Sequence, residues 1–284
     1  MKLLANAKIN LNLNVVGKRK DEYHNLESIF LPVDLCDEIE IKLLPHGYKD
    51  IVRTSIPSLN NEDNIVYKVL KLMAQLFMTN RSFEIYIRKN IPIGAGLGGG
   101  TSDAVAIAEA IVDILKLKMT DIKREKLLHA IGADATFFLK NKPSLVTGIG
   151  DKVQRIRMKK TYVVLIITPS VGLLTKDVFA SYNHKTDLST SNTGDLIRAL
   201  ESGDMKTIQI NTTNALINSA TTLAPEITDI ISFLKDKLPK AAVSMTGSGS
   251  SVFALCSNGM KLKSLANHFT RLGYNAVICQ TINN

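Results

Sequence analysis

Tryptophan is absent from the 284 residues, and cysteine occurs only at Cys36, Cys256 and Cys279. An odd number of widely spaced cysteines in apolar, strand-like surroundings argues against a disulfide framework and for buried thiols in a reducing cytoplasm. No Cys/His cluster has metal-ligand spacing. Long hydrophobic runs are missing as well, so no segment reaches the length of a membrane span. Met1 to Val16 carries Lys8 and four asparagines, which does not read as a signal peptide. The P-loop string G-x-x-x-x-G-K-[ST] does not occur; Gly17-Lys18 is followed by Arg19 rather than by a hydroxyl residue.

The chain does have core material and positive charge. Hydrophobic residues make up 45% and the net charge is +9, with a mean hydropathy of +0.08. This length favours two domains over one core. The charge suits a polyanionic ligand. Its basic residues are dispersed over Lys18 to Lys20, Lys116 to Lys126 and Arg155 to Lys160. No aromatic-interleaved stripe accompanies them, so no nucleic-acid partner is expected.

The most informative segment is Ile91 to Ala104, I-P-I-G-A-G-L-G-G-G-T-S-D-A. Five glycines within seven positions precede an apolar, helix-forming run from Ala104 to Leu115. Glycine allows positive φ and places no Cβ between main chain and ligand. A loop of this kind feeding a helix start offers several N–H groups and the positive end of a helix dipole to a phosphate. Gly94, Gly96 and Gly99 satisfy the dinucleotide pattern G-x-G-x-x-G. The preceding Phe83 to Arg88 segment, however, alternates apolar and polar residues like a half-exposed antiparallel strand, and no acid-tipped strand follows. A plain strand-to-helix turn capped by Thr101 or Ser102 would need at most one glycine.

Two more segments carry chemistry. Ala7 to Val16 alternates Ile9, Leu11, Leu13 and Val15 with Lys8, Asn10, Asn12 and Asn14. Asparagine is depleted on ordinary strand surfaces, so this polar face suggests a site. Met245 to Ser251, M-T-G-S-G-S-S, is richer in glycine and hydroxyls than a hairpin turn requires. In addition, Gly132-Ala133-Asp134-Ala135 sets a carboxylate among small and apolar residues. A helix-cap or turn aspartate is its simplest reading. Lys8 offers a charge partner. Asp103, at a helix start, reads as a cap or a supporting group.

The remaining periodicities predict strands over Glu27 to Leu35, Glu38 to Leu44 and Pro143 to Ile149, and helices over Asn64 to Met78 and Asp121 to Ala130. Asp63 or Asn64 would cap the first helix. Basic Lys152 to Lys160 is the candidate boundary. Beyond it, a strand (Tyr162 to Thr168), a helix (Pro225 to Leu238), strands at Ala241 to Met245 and Val252 to Leu255, a helix (Lys261 to Leu272) and a strand (Ala276 to Gln280) follow in order. With residues 173–220 as a helical insertion this is β-α-β-β-α-β, the split-βαβ plan. The fold class is α+β, with domains at 1–155 and 156–284.

The Lys/Asn strand, the G-L-G-G-G-T-S-D loop and the late G-S-G-S-S loop resemble the three motifs of the GHMP small-molecule kinases. More narrowly, A-K-I-N-L-N-L at 7–13, Y-H-N-L at 23–26 and G-A-D at 132–134 resemble the kinases that act on 4-diphosphocytidyl-2-C-methyl-D-erythritol in the non-mevalonate isoprenoid pathway. The resemblance spans the whole chain. It implies an N-terminal domain like ribosomal protein S5 domain 2 and a ferredoxin-like C-terminal domain. It also implies ATP and Mg²⁺ as cofactors, a small-molecule acceptor, a cytoplasmic protein, and a monomer or weak homodimer. Lys8 and Asp134 would be the catalytic pair. Pro92, Ile93, Gly94, Ala95, Gly96, Leu97, Gly98, Gly99, Gly100, Thr101 and Ser102 would form the ATP phosphate loop, with Ser102 a metal contact. Tyr23, His24 and Phe179 would hold the cytosine, Asn10 the reacting end of the substrate, and Gly247, Ser248 and Gly249 the closing loop. Glu22 departs from a common glycine, and Thr246 and Ser251 from the usual third loop. Homoserine and mevalonate kinases, and a nucleotide-binding protein without turnover, are the alternatives.

Overall fold

A computed structural model of the chain describes residues 1–20, 24–183, 187 and 191–283. Tyr23, one of the expected cytosine contacts, lies outside them. The chain opens with two long strands, β1 (Lys2–Lys18) and β2 (His24–Leu43). The polar face expected on β1 is not a solvent face: Lys8, Asn10, Asn12 and Asn14 are all buried. β2 is also continuous where two strands are expected. The apparent break at Asp37 is a charged residue buried inside the strand.

The chain clusters into two compact units, the first made of residues 1–7, 36–91 and 98–141. In it, the second half of β2 pairs antiparallel with β4 (Phe83–Arg88), from Glu38 opposite Arg88 to Leu43 opposite Phe83. The short β3 (Ile51–Thr54), missed by periodicity, pairs parallel with β4. Four helices complete the unit: α1 (Ile65–Phe77), α2 (Gly99–Leu115), α3 (Asp121–Ile131) and α4 (Ala135–Lys140). Asn64 caps α1 by accepting the Val66 N–H, one of the two caps expected. α1 buries Val66, Val69, Leu70 and Met73, spaced to form one helical face, and lies beside α2.

The second unit holds residues 8–35, 92–97 and 142–284. Here Leu26 to Phe30 of β2 pairs antiparallel with β5 (Ser144–Gly148), which pairs with β6 (Lys152–Arg155). After β7 (Val163–Thr168) come α5 (Thr175–Ala180), α6 (Thr193–Ser202), α7 (Met205–Asn211) and α8 (Ile217–Leu223). Then follow α9 (Glu226–Lys237), β8 (Ala242–Met245), β9 (Val252–Cys256), α10 (Leu262–Arg271) and β10 (Asn275–Gln280). β7 to β10 form an antiparallel sheet in the order β10-β7-β9-β8. That is the expected β-α-β-β-α-β succession, interrupted by α5 to α8. Its core gathers Leu165 and Ile167 of β7, Ile227, Ile230 and Leu234 of α9, and Leu265 and Phe269 of α10. Among the described residues, no helix is long and apolar enough to cross a membrane.

Candidate active site

Within the second unit the lysine strand, residues 92–97 of the glycine segment and the late loop meet. Lys8 on β1 is only 4% exposed. Its backbone N–H donates to Leu97 O (3.1 Å), which ties the strand to the glycine loop. Its ammonium donates to Asn10 Oδ1 (2.5 Å) and lies 4.8 Å from the centre of the Phe30 ring. Asn10 is fixed from several sides: its Nδ2 donates to Ser28 Oγ (2.9 Å) and its backbone N–H donates to Thr246 Oγ1 (3.0 Å). Ser28 Oγ in turn donates to Asn12 O, and Asn12 Oδ1 accepts the Ile29 N–H (2.8 Å). The polar face of β1 is therefore a buried network in which short amides bridge strands, with burial compensated by hydrogen bonds.

The late loop packs directly on the glycine loop. Gly96 has φ +73°, and a Cβ there would stand 2.2 Å from Thr246 O. The contact is reciprocal: a Cβ on Gly247 would stand 2.9 Å from Gly96 O and 3.3 Å from Lys8 Nζ. Ser251 N donates to Ala95 O (3.3 Å), and Leu173 N donates to Gly94 O (3.2 Å). Asn214, which sequence reasoning missed, donates from its Nδ2 to Met245 O and Gly247 O, both at 2.9 Å. Ser248 Oγ sits 3.0 Å from Thr175 Oγ1 on α5. Gly249 belongs to the same buried turn, its N–H donating to Thr246 O (3.0 Å). Pro92 and Leu97 are at least half-buried, whereas Ile93 and Gly94 are exposed.

In the first unit, α2 begins at Gly99, earlier than the Ala104 of the hydrophobic pattern. Its N-cap is Gly98 at φ 75°, ψ 16°, not Thr101 or Ser102. A left-handed cap suits glycine and leaves the first-turn N–H groups without a side-chain cap. Gly100 is exposed, with open space where a Cβ would be. Ser102 is buried and lines a cavity of about 160 Å³ together with Asn6 and Asn141. The Asp134 loop lies against this helix start: a Cβ on Gly132 would stand 3.8 Å from Thr101 Oγ1. Asp134 directly precedes α4, and its carbonyl accepts the N–H groups of Phe137 and Phe138. Its carboxylate does not cap that helix, so the simplest reading of this residue does not account for the side chain.

Asp103 does not act as a cap. It forms a buried ion triad: Lys89 Nζ donates to Asp103 Oδ2 (2.7 Å) and to Asp37 Oδ2. Burial pushes the Asp103 carboxyl up to about 7, and the neighbouring Asp37 adds to the rise while Lys89 opposes it. Burial works against the Lys89 ammonium, but the two carboxylates outweigh it and raise its pKa. The sequence signal for this triad was the acid at position 37 interrupting an apolar strand pattern.

His24 and Phe179, expected at the cytosine, do come together, with ring centroids 5.2 Å apart and planes 22° from parallel. Tyr182, not anticipated, meets His24 edge-on at 5.7 Å. The result is an aromatic cluster able to stack on a planar base.

A glycine loop tied to a buried lysine strand and packed on a late glycine/hydroxyl loop suits the class of ATP-dependent small-molecule kinases. The GHMP kinases N terminal domain matches residues 64–142, and the GHMP kinases C terminal domain matches 196–275. The 4-diphosphocytidyl-2-C-methyl-D-erythritol kinase of Clostridium acetobutylicum is 32% identical, with 91% of each chain covered. The kinase of that name from Clostridium novyi is 34% identical over 98% of this chain and 99% of the relative. A crystal structure of 4-(cytidine 5'-diphospho)-2C-methyl-D-erythritol kinase superposes with a TM-score of 0.84 at 24% identity, both chains fully covered. A homoserine kinase from Cytophaga hutchinsonii gives 0.74 at 20% identity, with 100% of this chain and 95% of that one covered. The chain belongs to the 4-diphosphocytidyl-2-C-methyl-D-erythritol kinase family of the GHMP kinases.

Proposed function

We propose that this protein transfers the γ-phosphoryl group of ATP to the C2 hydroxyl of 4-diphosphocytidyl-2-C-methyl-D-erythritol. The observation that carries the reading is the meeting of Lys8, Gly96 and Gly247 around one buried point, with the His24–Phe179 stack in the same unit. Homoserine and mevalonate have no planar base for such a stack to receive. We assign the ATP-binding and catalytic part to residues 1–155 and the substrate-binding part to 156–284, in keeping with family matches that fall on either side of that division.

In this mechanism the segment 92–102 receives the triphosphate on backbone N–H groups and on the first turn of α2. Asp134 accepts the proton of the acceptor hydroxyl at its carboxylate. Lys8 offsets negative charge on the transferring group. Asn10 orients Lys8 through the 2.5 Å hydrogen bond and faces the reacting end of the acceptor. His24, Phe179 and Tyr23 hold the cytosine. The late loop, through Gly247, Ser248 and Gly249, closes on the substrate.

Among the described residues, no three His, Cys, Asp or Glu side chains form a metal cage. Mg²⁺ keeps several waters and is held by one or two protein groups plus substrate phosphates. Ser102 would be the protein contact, and the cation would neutralise charge on the phosphates. The protein would act in the cytoplasm, as a monomer or weak homodimer.

ADP release from MgATP with the diphosphocytidyl acceptor, against homoserine and mevalonate as controls, tests the assignment. Turnover with the cytidine substrate alone is expected; equal turnover with either control would overturn it. His24→Ala should raise KM for the cytidine acceptor about tenfold and leave KM for ATP unchanged.

A further inference from the structure

The phosphoryl-transfer mechanism makes no use of the Asp37–Lys89–Asp103 triad, yet these three groups brace the segment it depends on. Asp37 is fully buried and Asp103 is 3% exposed, and the Lys89 side chain between them is 6% exposed. Two carboxyl groups share one ammonium in the interior. Among the described residues, Asp103 Oδ1 has no hydrogen-bond partner. Buried ion groups of this kind add little stability over apolar residues of the same size, so their presence asks for another reason. The connections supply one. Asp37 Oδ1 accepts the backbone N–H of Asn90 (2.6 Å) and of Ile91 (2.8 Å), the residues that lead into the glycine loop. Its Oδ2 lies 3.4 Å from where a Cβ on Gly99 would be, and Asp103 sits in the first turns of α2. Lys89 thus joins the strand leading into the loop to the helix leading out of it.

We propose that Asp37 and Asp103, joined through Lys89, are positioning residues for ATP. The triad sets the spacing between the two flanks of the glycine loop, and with it the aim of the backbone N–H groups at the triphosphate. The inference rests on the kinase reading above. It is tested by ADP release from the full-length protein, varying ATP at saturating acceptor and the reverse. Asp103→Asn, which keeps shape and removes charge, is expected to raise KM for ATP about tenfold and to leave KM for the acceptor within about twofold. Lys89→Arg keeps the charge and should stay near wild type for ATP, whereas Lys89→Met should behave like Asp103→Asn. A purely structural role would lower the active fraction with both KM values unchanged. That result, or both KM values rising together, overturns the proposal. If Asp103→Asn does not fold, amide exchange of the wild-type protein decides. A non-hydrolysable ATP analogue should protect peptides covering residues 36–38, 88–91 and 99–104, and unchanged exchange there overturns it. A wild-type protein that shows this protection but releases no ADP would instead sink the kinase reading and leave the positioning role in nucleotide binding.

Discussion

Lys8 and Asn10 point to the same side of β1, and the ammonium of one donates to the carboxamide oxygen of the other at 2.5 Å. Because Ser28 and Thr246 hold Asn10 in turn, the lysine is aimed by a chain of buried hydrogen bonds rather than by its own rotamer preference. A hydrogen bond to a charged group contributes about 1.5–3 kcal/mol, roughly tenfold to a hundredfold in rate if it is felt in the transition state. Asn10→Ala should therefore lower kcat by about that factor. Single-turnover transfer at saturating ATP and acceptor checks this, and an unchanged rate would remove Asn10 from the aiming of Lys8.

Gly96 tolerates no side chain. Its Cβ would overlap Thr246 O at 2.2 Å, and its φ of +73° strains any L residue. Gly96→Ala should destabilise the second unit and abolish ATP use, whereas Gly17→Ala, outside the phosphate loop and facing open space, should retain most activity. Thermal unfolding and KM for ATP on both variants would separate the two; equal behaviour would contradict the close packing of the glycine loop on the late loop.

Asp134 carries the proton in the proposed chemistry. Asp134→Asn keeps the backbone that starts α4 and removes the basic oxygen, so kcat should fall by ~10² to 10⁴-fold, the usual scale of general-base catalysis. Binding of a non-hydrolysable ATP analogue, followed by calorimetry, should persist. An Asp134→Asn protein with ordinary turnover would free this carboxylate from the role.

Two of the three thiols should be inert. Burial pushes Cys256 up to about 11, and burial with the nearby Asp34 pushes Cys279 up to about 12, so neither presents thiolate at pH 8. Cys36 is only half-buried. A disulfide reagent on native protein at pH 8 should label at most Cys36 rapidly and reach all three only after unfolding. Fast labelling of Cys279 in the native protein would contradict its burial on β10.

Much of the fold was legible because short-range periodicity is set by local geometry. The succession from β7 to β10, the Asn64 cap and the helical character of the run after the glycines all follow from spacing and cap chemistry alone. What escaped was decided by groups far apart in sequence. Asp37 looked like a break in β2 because a lone charge in a strand pattern normally means solvent; Lys89, 52 residues later, and the N–H groups of Asn90 and Ile91 make its burial tolerable. Asp103 read as a cap or a supporting group because of its place at a helix start, and its carboxyl group bonds Lys89 rather than capping the helix. Gly98 took the cap instead, since a left-handed turn was needed to bring the chain into α2.

By itself the sequence determined which residue types could do chemistry: a glycine cradle, an amide-rich strand with one lysine, an aspartate among small residues, and a second glycine/hydroxyl loop. Tertiary structure alone decided their company. Asn10 turned out to be a brace for Lys8, Asn214 a tether for the late loop, and Gly96 and Gly247 mutual contacts that leave no room for a side chain. The physical reason is that a hydrogen bond or a backbone contact depends on separations of a few ångströms in space, which a pattern along the chain does not encode.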